Sequence, residues 1–126
     1  MSATPASMPR MIGRWHGLVI DCPEPRALAE FYEKLLGMVR VQDDDAFVVI
    51  GDAPDRPGVA FVRVEGWLPP KWPEETAQMH FDVRVDDLAS AGEQVLALGA
   101  RRLDGGGERF HVYADPAGHP FCLVSW

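Results

Sequence analysis

The segment that decides the fold reads LAEFYEKLLG at residues 28–37, and a similar segment, LASAGEQVLALG, occupies residues 88–99. In both segments apolar side chains recur at the spacing of one helix face: Leu28, Phe31, Tyr32 and Leu35, then Leu88, Ala91, Val95 and Leu98. Each segment ends at a glycine, which adopts the left-handed backbone of a helix end at little cost. The chain is therefore predicted to contain two helices that end at Gly37 and Gly99.

Extended segments surround the two helices in the same order. One apolar segment precedes each helix and three follow it: 15–21, then 39–42, 46–50 and 59–64 in the first half, and 79–85, then 101–103, 109–114 and 120–126 in the second. A repeated order of strand, helix and three strands indicates a duplicated unit. His16 and His80, which lie 64 residues apart, stand near the start of the two copies. The predicted fold is α+β, with two tandem βαβββ modules.

This repeat divides a single domain into two parts. We predict a frayed N-terminal tail over residues 1–12, followed by one domain over residues 13–126. Module one covers 13–64 and module two covers 78–126. The connector between them, at residues 65–77, is rich in Pro and Trp and lacks any helical or alternating period, so we expect a semi-rigid link.

Composition and charge limit the partners and the location. Among 126 residues, 12 Lys and Arg stand against 19 Asp and Glu, and the net charge of −7 argues against nucleic-acid binding because phosphates would be repelled. No apolar segment is long enough to span a membrane. The N-terminal residues lack the apolar core of a signal peptide, so we expect a cytoplasmic protein. Cys22 and Cys122 are expected to be reduced, buried thiols.

Several segments rich in turn-forming residues separate the strands. The three aspartates at 43–45 predict a solvated hairpin turn rather than a cation site, and residues 51–58 and 105–107 predict loops. Residues 115–118 read Asp-Pro-Ala-Gly, the composition of a type I turn. His119 follows this turn, and we expect it to be solvated.

Motifs in both halves resemble a known superfamily. The first half carries HGLVID at residues 16–21 and RALAEFYEKLLG at 26–37, and the second carries HFDVRVDDL at 80–88 and ADPAGHPFC at 114–122. These motifs resemble those of the vicinal oxygen chelate superfamily, which includes glyoxalases, bleomycin-resistance proteins and extradiol dioxygenases. The similarity is greatest to its glyoxalase-like branch, and it extends over about residues 14–126.

The resemblance implies a cup-shaped mixed sheet with both helices outside, a ligand site inside and a homodimer. Metal-binding members take two histidines from the strand starts and one or two glutamates from the last strands. His16 and His80 match the histidines, but Cys122 and Val62 stand where the glutamates would be. The implied metal site is therefore incomplete. It could hold a divalent ion (Zn, Fe, Ni or Mn) through His16, His80 and Cys122, or with His111 as the third ligand.

Strand alternation assigns side chains to the cup. If His80 faces the cup, Asp82 and Arg84 do so too, whereas Phe81 and Val83 pack under a helix. Arg84 could then hold an anionic group of a ligand that Asp82 orients. Alternatively, the two residues form a partly solvated pair at a subunit surface.

The same rule places Leu18 and Ile20 in the cup if His16 lies there. His111 and Tyr113 share one parity in a later strand, and both are predicted to contact the ligand. Trp67 of the connector could cover a bound ligand, dock on a partner subunit or cover the domain's own core.

Three functions are open at this point. A metal-dependent lyase, isomerase or dioxygenase would use the ion as a Lewis acid, and a metal-free enzyme would use His80 or His16 as a catalytic base. A resistance-type protein would sequester a small, cationic antibiotic. The missing glutamates disfavour the first function and the net acidity favours the third. We predict a glyoxalase-like protein that binds a small molecule in the cup, with an incomplete metal site, and whether it is an enzyme stays open.

Overall fold

The computed structural model describes residues 15–71 and 80–125. The first half comprises β1 (Leu18–Cys22), α1 (Pro25–Leu36), β2 (Val39–Asp43), β3 (Phe47–Ala53) and β4 (Arg56–Arg63). The second half comprises β5 (Phe81–Arg84), α2 (Leu88–Ala97), β6 (Arg101–Gly106), β7 (Phe110–Ala114) and β8 (Pro120–Val124). The predicted tail at 1–12 and part of the predicted connector lie outside the described residues.

Both halves have the same sheet topology, which confirms the predicted α+β fold of two βαβββ modules. One sheet has the strand order β1-β4-β3-β2 and the other has the order β5-β8-β7-β6. In each sheet the first strand pairs parallel to the last, and the other pairs are antiparallel. β1 and β5 are therefore edge strands, and their side chains lie at the margins of the two sheets.

Both helices begin and end near the residues that the sequence indicates. Pro25 starts α1, where its missing N–H would have no helical partner, and Gly37 ends it with φ 70° and an N–H that donates to the Glu33 carbonyl. At the start of α2, Asp87 accepts a hydrogen bond of 3.0 Å from the backbone N–H of Ser90. Neither described helix has the length and apolar character that a membrane crossing requires.

The main core lies between the helices and one face of each sheet, with Tyr32 of α1 near its centre. The Tyr32 ring is fully buried, stacks on Phe61 at 5.6 Å between centroids and meets Phe81 edge-on at 5.4 Å. Phe61 belongs to β4 and Phe81 to β5, so one ring holds the two modules together. Burial of a large apolar side chain contributes roughly 1.5–3 kcal/mol, which makes this ring a major link between them.

Two predicted loops are shorter than expected. β3 and β4 extend into residues 51–58 and leave only a turn at 54–55, since their pairing continues past an irregularity at Gly51. β6 likewise continues to Gly106, past an irregularity in its pairing with β7. The glycines in these segments mark bulges within strands, and glycine composition alone does not distinguish a bulge from a loop.

The three adjacent aspartates form the predicted hairpin turn between β2 and β3. Two of the three carboxylates pair with arginines: Asp43 with Arg26 at 2.8 Å and with Arg40 at 2.9 Å, and Asp45 with Arg63 at 3.3 Å. Exposed ion pairs of this kind contribute little to stability, because water and salt screen the charges. The turn is therefore a charged surface feature of module one.

Candidate functional site

The sheet of module two has two faces of different character. One face packs under the helices and includes Phe121 and Leu123 of β8. The opposite face carries a separate apolar cluster of Val112, Cys122 and Val124, with Leu103 and Phe110 at its margin. Within residues 15–71 and 80–125, no helix residue belongs to this second cluster. We call the face that carries it the open face, because no described helix packs on it.

β5 adds polar side chains to the open face. Asp82 pairs with Cys122 and Arg84 pairs with Val124 in the parallel register of β5 and β8. Paired residues of neighbouring strands project their side chains from the same face of a sheet. The polar edge strand therefore borders the apolar cluster directly.

The predicted alternation of β5 is confirmed by its other side chains. Phe81, Val83 and Val85 pack against the main core, under the helices. His80 directly precedes β5 and shares its parity with Asp82. The strand thus separates its apolar residues from its polar ones.

His80, Asp82 and Cys122 converge at this edge of the sheet. One nitrogen, oxygen or sulfur atom from each lies within 4.8 Å of the others, and His80 Nε2 lies 3.3 Å from Asp82 Oδ1. The His80 and Asp82 side chains are 41% and 52% exposed, whereas Cys122 is only 4% exposed. The group therefore has two accessible members and one buried member. We call these three residues the β5 edge group.

Both cysteines are neutral thiols in buried positions, as predicted. Burial raises the pKa of the Cys122 thiol, and the charge of Asp82 and a hydrogen bond to it add to this shift. Burial also raises the pKa of Cys22 to about 11. A thiol is a poor nucleophile until it ionises, so Cys122 is not activated for covalent catalysis.

The register of β1 separates His16 from the β5 edge group. Ile20 pairs with Phe61 in module one, and Phe81 pairs with Phe121 in module two. Phe61 and Phe121 are both fully buried in the core, and we take them as equivalent positions of β4 and β8. By this register the counterpart of His80 in module one is Val19, three residues beyond His16. The equivalence of the two histidines, predicted from their similar places in the repeat, is therefore wrong.

The predicted orientation of β1 is also wrong. Ile20 and Cys22 pack against the helices instead of facing away from them. Val19, of the opposite parity, is 56% exposed. His16 precedes β1, is exposed and is not a member of the group that His80 forms.

β7 places His111 and Tyr113 on the face that packs under the helices. Tyr113 pairs with Phe121 and His111 pairs with Leu123, and both partners belong to the main core. Tyr113 is 3% exposed and points at α2, since a Cβ at Gly92 would lie only 2.5 Å from its hydroxyl. The prediction that these two residues line the cup is wrong, because Cys122 lies on the opposite face of the same sheet.

The turn between β7 and β8 holds a buried polar cluster that the sequence analysis did not find. Asp115 is 2% exposed, and its Oδ1 accepts hydrogen bonds of 2.9–3.0 Å from the backbone N–H groups of Ala117, Gly118 and His119. Its Oδ2 accepts a hydrogen bond of 2.7 Å from the Tyr32 hydroxyl and lies 2.8 Å from His119 Nδ1. We call Asp115, His119 and Tyr32 the turn cluster.

The two ring nitrogens of His119 have partners in different modules. Nδ1 faces the Asp115 carboxylate, and Nε2 lies 2.7 Å from the backbone carbonyl oxygen of Asp21 in β1. Both partners are acceptors, so only the protonated ring can donate to both at once. Burial opposes protonation, but the hydrogen bond and charge of Asp115 outweigh it and raise the pKa of His119. The expectation of a solvated histidine is wrong, since the side chain is only 18% exposed.

Trp67 covers this turn. Its Nε1 donates a hydrogen bond of 3.2 Å to the Ala117 carbonyl, and its ring lies 4.8 Å from the His119 ring between centroids. Of the three roles that the sequence left open for Trp67, these contacts favour cover of the domain's own core.

The metal implied by the family resemblance requires a group of suitable donor atoms. The predicted set of His16, His80 and Cys122 is not assembled, because His16 lies outside the group. His80, Asp82 and Cys122 instead offer one nitrogen, one oxygen and one sulfur donor. Zinc sites in proteins use these three donor types, so the residues present fit a divalent ion without His16.

A family model described as Glyoxalase-like domain matches residues 17–124, which span both modules. No curated protein matches the chain.

Solved structures share the fold at low sequence identity. A glyoxalase/bleomycin resistance protein/dioxygenase family enzyme from Burkholderia phytofirmans PsJN has a TM-score of 0.66 and 16% identity, over 87% of this chain and 96% of that one. A mutant of the fosfomycin resistance protein FosX from Listeria monocytogenes, complexed with Mn(II) and 1S,2S-dihydroxypropylphosphonic acid, has a TM-score of 0.67 and 12% identity, over 91% of each chain. A possible glyoxalase from Bacillus cereus has a TM-score of 0.65 and 15% identity, over 90% of this chain and 99% of that one. At these identities the likeness concerns the fold alone.

Proposed function

The chain belongs to the glyoxalase-like domain family, and we propose that it binds a small organic molecule on the open face of module two, at the β5 edge group. The observation that carries this proposal is the convergence of His80, Asp82 and Cys122 beside an apolar cluster. Sites for small molecules combine a mainly apolar surface with a few polar groups that fix the orientation of the ligand. The open face has both components.

The exposure of the polar residues supports a binding role over a structural one. His80 and Asp82 keep about half of their side-chain surface accessible, at 41% and 52%. The apolar side chains beside them, Val112 and Val124, are at most 4% exposed. A ligand at this edge would therefore contact mainly the exposed hydrogen-bonding groups, which the buried apolar side chains support from behind.

Charge on β5 indicates the class of ligand. Arg84 is exposed, shares its face with Asp82 and also lines a cleft of about 350 Å³ beside the start of α2. An arginine pairs well with a carboxylate or a phosphonate, whereas Asp82 accepts hydrogen bonds. We therefore expect a small anionic molecule that also carries a hydroxyl or amine donor.

The alternatives raised by the sequence stay predictions. A lyase, isomerase or dioxygenase that uses both His16 and His80 has no support in the geometry, because His16 is not part of the β5 edge group. Antibiotic sequestration, a homodimer and a cytoplasmic location likewise stay predictions.

Protein-observed NMR tests the proposal. The ¹⁵N-labelled protein would be titrated with small carboxylates and phosphonates that carry a hydroxyl or amine group. We expect backbone amide shifts to change at residues 81–84 and 121–124 and not at 18–22. Asp82→Asn and Arg84→Gln should weaken binding, and His16→Gln is the matched control that should not. Shift changes confined to other surfaces, or equal losses in the control, would contradict the proposal.

A further inference from the structure

The geometry points to a zinc site formed by His80, Asp82 and Cys122 within module two, without any ligand from module one. This inference concerns the same β5 edge group as the proposed function, but it does not require the organic ligand to be present. It differs from the set predicted from the sequence, because Asp82 takes the place of His16.

The backbone itself brings the three donors together. His80 and Asp82 are two residues apart and share one parity along β5. Asp82 pairs with Cys122 in the parallel register, so their side chains lie side by side. Three residues on two adjacent strands thus reach one point at the edge of the sheet.

The separations of the donor atoms suit one ion after small rotations. Zinc lies ~2.3 Å from sulfur and ~2.0–2.1 Å from nitrogen or oxygen, so tetrahedral donors lie roughly 3.3–3.6 Å apart. His80 Nε2 and Asp82 Oδ1 are already 3.3 Å apart, and all three donor atoms lie within 4.8 Å of one another. The two residues that must move are the exposed ones, whereas Cys122 is held in the sheet.

The chemistry of the donors favours zinc over harder ions. A thiolate is a soft ligand that selects zinc, while magnesium, calcium and manganese prefer oxygen ligands. On binding, the Cys122 sulfur forms a bond to the ion and its thiol proton passes to solvent. Three protein ligands leave the fourth position free for water or for an anionic group.

The exposure of the group provides this open position and a path for the ion. His80 and Asp82 lie on the solvent side of Cys122, and Arg84 follows on the same face of β5. A ligand anion could therefore contact the ion and Arg84 together. The zinc ion would then form part of the binding site for the small molecule.

The test uses the full chain, purified without a histidine tag, and metal alone. Isothermal titration with Zn²⁺ should give one ion per chain. Titration with Co²⁺ should give near-ultraviolet sulfur-to-cobalt charge-transfer absorption, which reports a thiolate ligand independently of any activity. Cys122→Ser should abolish this absorption, and His80→Gln and Asp82→Asn should weaken zinc binding at least about tenfold. His16→Gln, the matched control, should bind zinc like the parent protein.

The exposed Asp82→Asn keeps the inference testable if the buried Cys122→Ser fails to fold. The zinc site is wrong if the folded protein binds no zinc, if His16→Gln weakens binding as much as Asp82→Asn does, or if the charge-transfer absorption persists in Cys122→Ser. Zinc binding without any NMR response to organic anions would contradict the proposed function alone. An NMR response to organic anions in a protein that binds no zinc would contradict the zinc site alone.

Discussion

The two modules share one sheet topology but differ in the chemistry of their sheet edges. The register of β5 and β8, extended by one residue to His80, aligns His80, Asp82 and Cys122 with Val19, Asp21 and Val62 of β1 and β4. Only the aspartate occurs in both. Both copies of the fold therefore keep the same topology, while at these three positions only module two has an imidazole and a thiol.

The hairpins before the last strands differ as well. Between β3 and β4 the connection is a two-residue turn at 54–55, and Asp55 is exposed. Between β7 and β8 the connection holds Asp115, which is buried and bonded to Tyr32 of the first module. The polar contacts between the modules are therefore concentrated at the turn of module two, beside the apolar link that Tyr32 forms.

The largest predicted effect comes from the contrast between these two turns. Asp115→Ala would leave the Tyr32 hydroxyl, three backbone N–H groups and the His119 ring without their acceptor. Breaking a buried charged network of this kind costs about 3–5 kcal/mol of unfolding free energy. Asp55→Ala, the matched control, should stay within about 0.5 kcal/mol of the parent. Urea unfolding measures both, and equal effects would contradict the assignment of these polar contacts to the turn of module two.

A transplant of the β5 edge group would sharpen the comparison of the sheet edges. Val19→His together with Val62→Cys would place histidine, aspartate and cysteine around Asp21 in the register that module two uses. Zinc binding measured by titration should rise from one ion per chain to two. If the parent binds one ion and the folded double variant still binds one, the equivalence of Val19 with His80 is wrong.

The turn of module two, unlike the turn at 54–55, contains a histidine whose titration should make the stability of the protein depend on pH. The pKa of His119 is raised above its ordinary value of 6.5, so its charged contact with Asp115 stabilises the fold fully below about pH 6.5. This contribution is lost as the pH rises through the folded-state pKa. The difference in urea midpoint between the parent and His119→Gln should therefore be largest in mild acid and shrink in alkali. A difference that does not vary with pH would contradict the role of the protonated ring.

The smallest predicted effect concerns Tyr113. Its ring lies under α2 and not on the open face, so Tyr113→Phe should leave zinc binding and the NMR response to ligands unchanged. The free energy of unfolding should change by less than about 1 kcal/mol. A selective loss of ligand binding in this variant would show that β7 faces the other way.

The success of the sequence predictions depended on how each strand alternates. β5 reads FDVR, and its strict alternation assigned Asp82 and Arg84 to the correct face. β7 reads FHVYA and alternates too, but its more polar face, with His111 and Tyr113, packs under the helices. β1 reads LVIDC, which is apolar on both faces except at Asp21. In neither strand could the phase be read from the residues alone. The phase is set by pairing with β4 and β8. For β1 the paired residues of β4 lie about 40 positions later in the chain, so a local pattern does not show it.

The turn cluster shows a second limit. The Asp-Pro-Ala-Gly composition of residues 115–118 predicts a turn, and the structure has one there. The burial of Asp115 depends on Tyr32, which lies 83 residues earlier in the chain. The helix pattern assigned Tyr32 to the core correctly, but nothing in that pattern shows where its hydroxyl donates. The pairing of His119 with the buried Asp115 was missed as well, because the burial of Asp115 was not predicted.

Zinc-edge anomalous diffraction from crystals grown with one equivalent of Zn²⁺ tests most directly the claim that module two alone carries the functional centre. The account predicts one anomalous peak within bonding distance of His80, Asp82 and Cys122, and none at Val19 or His16. A peak that includes His16 as a ligand, or the absence of any peak at the β5 edge group, would contradict it.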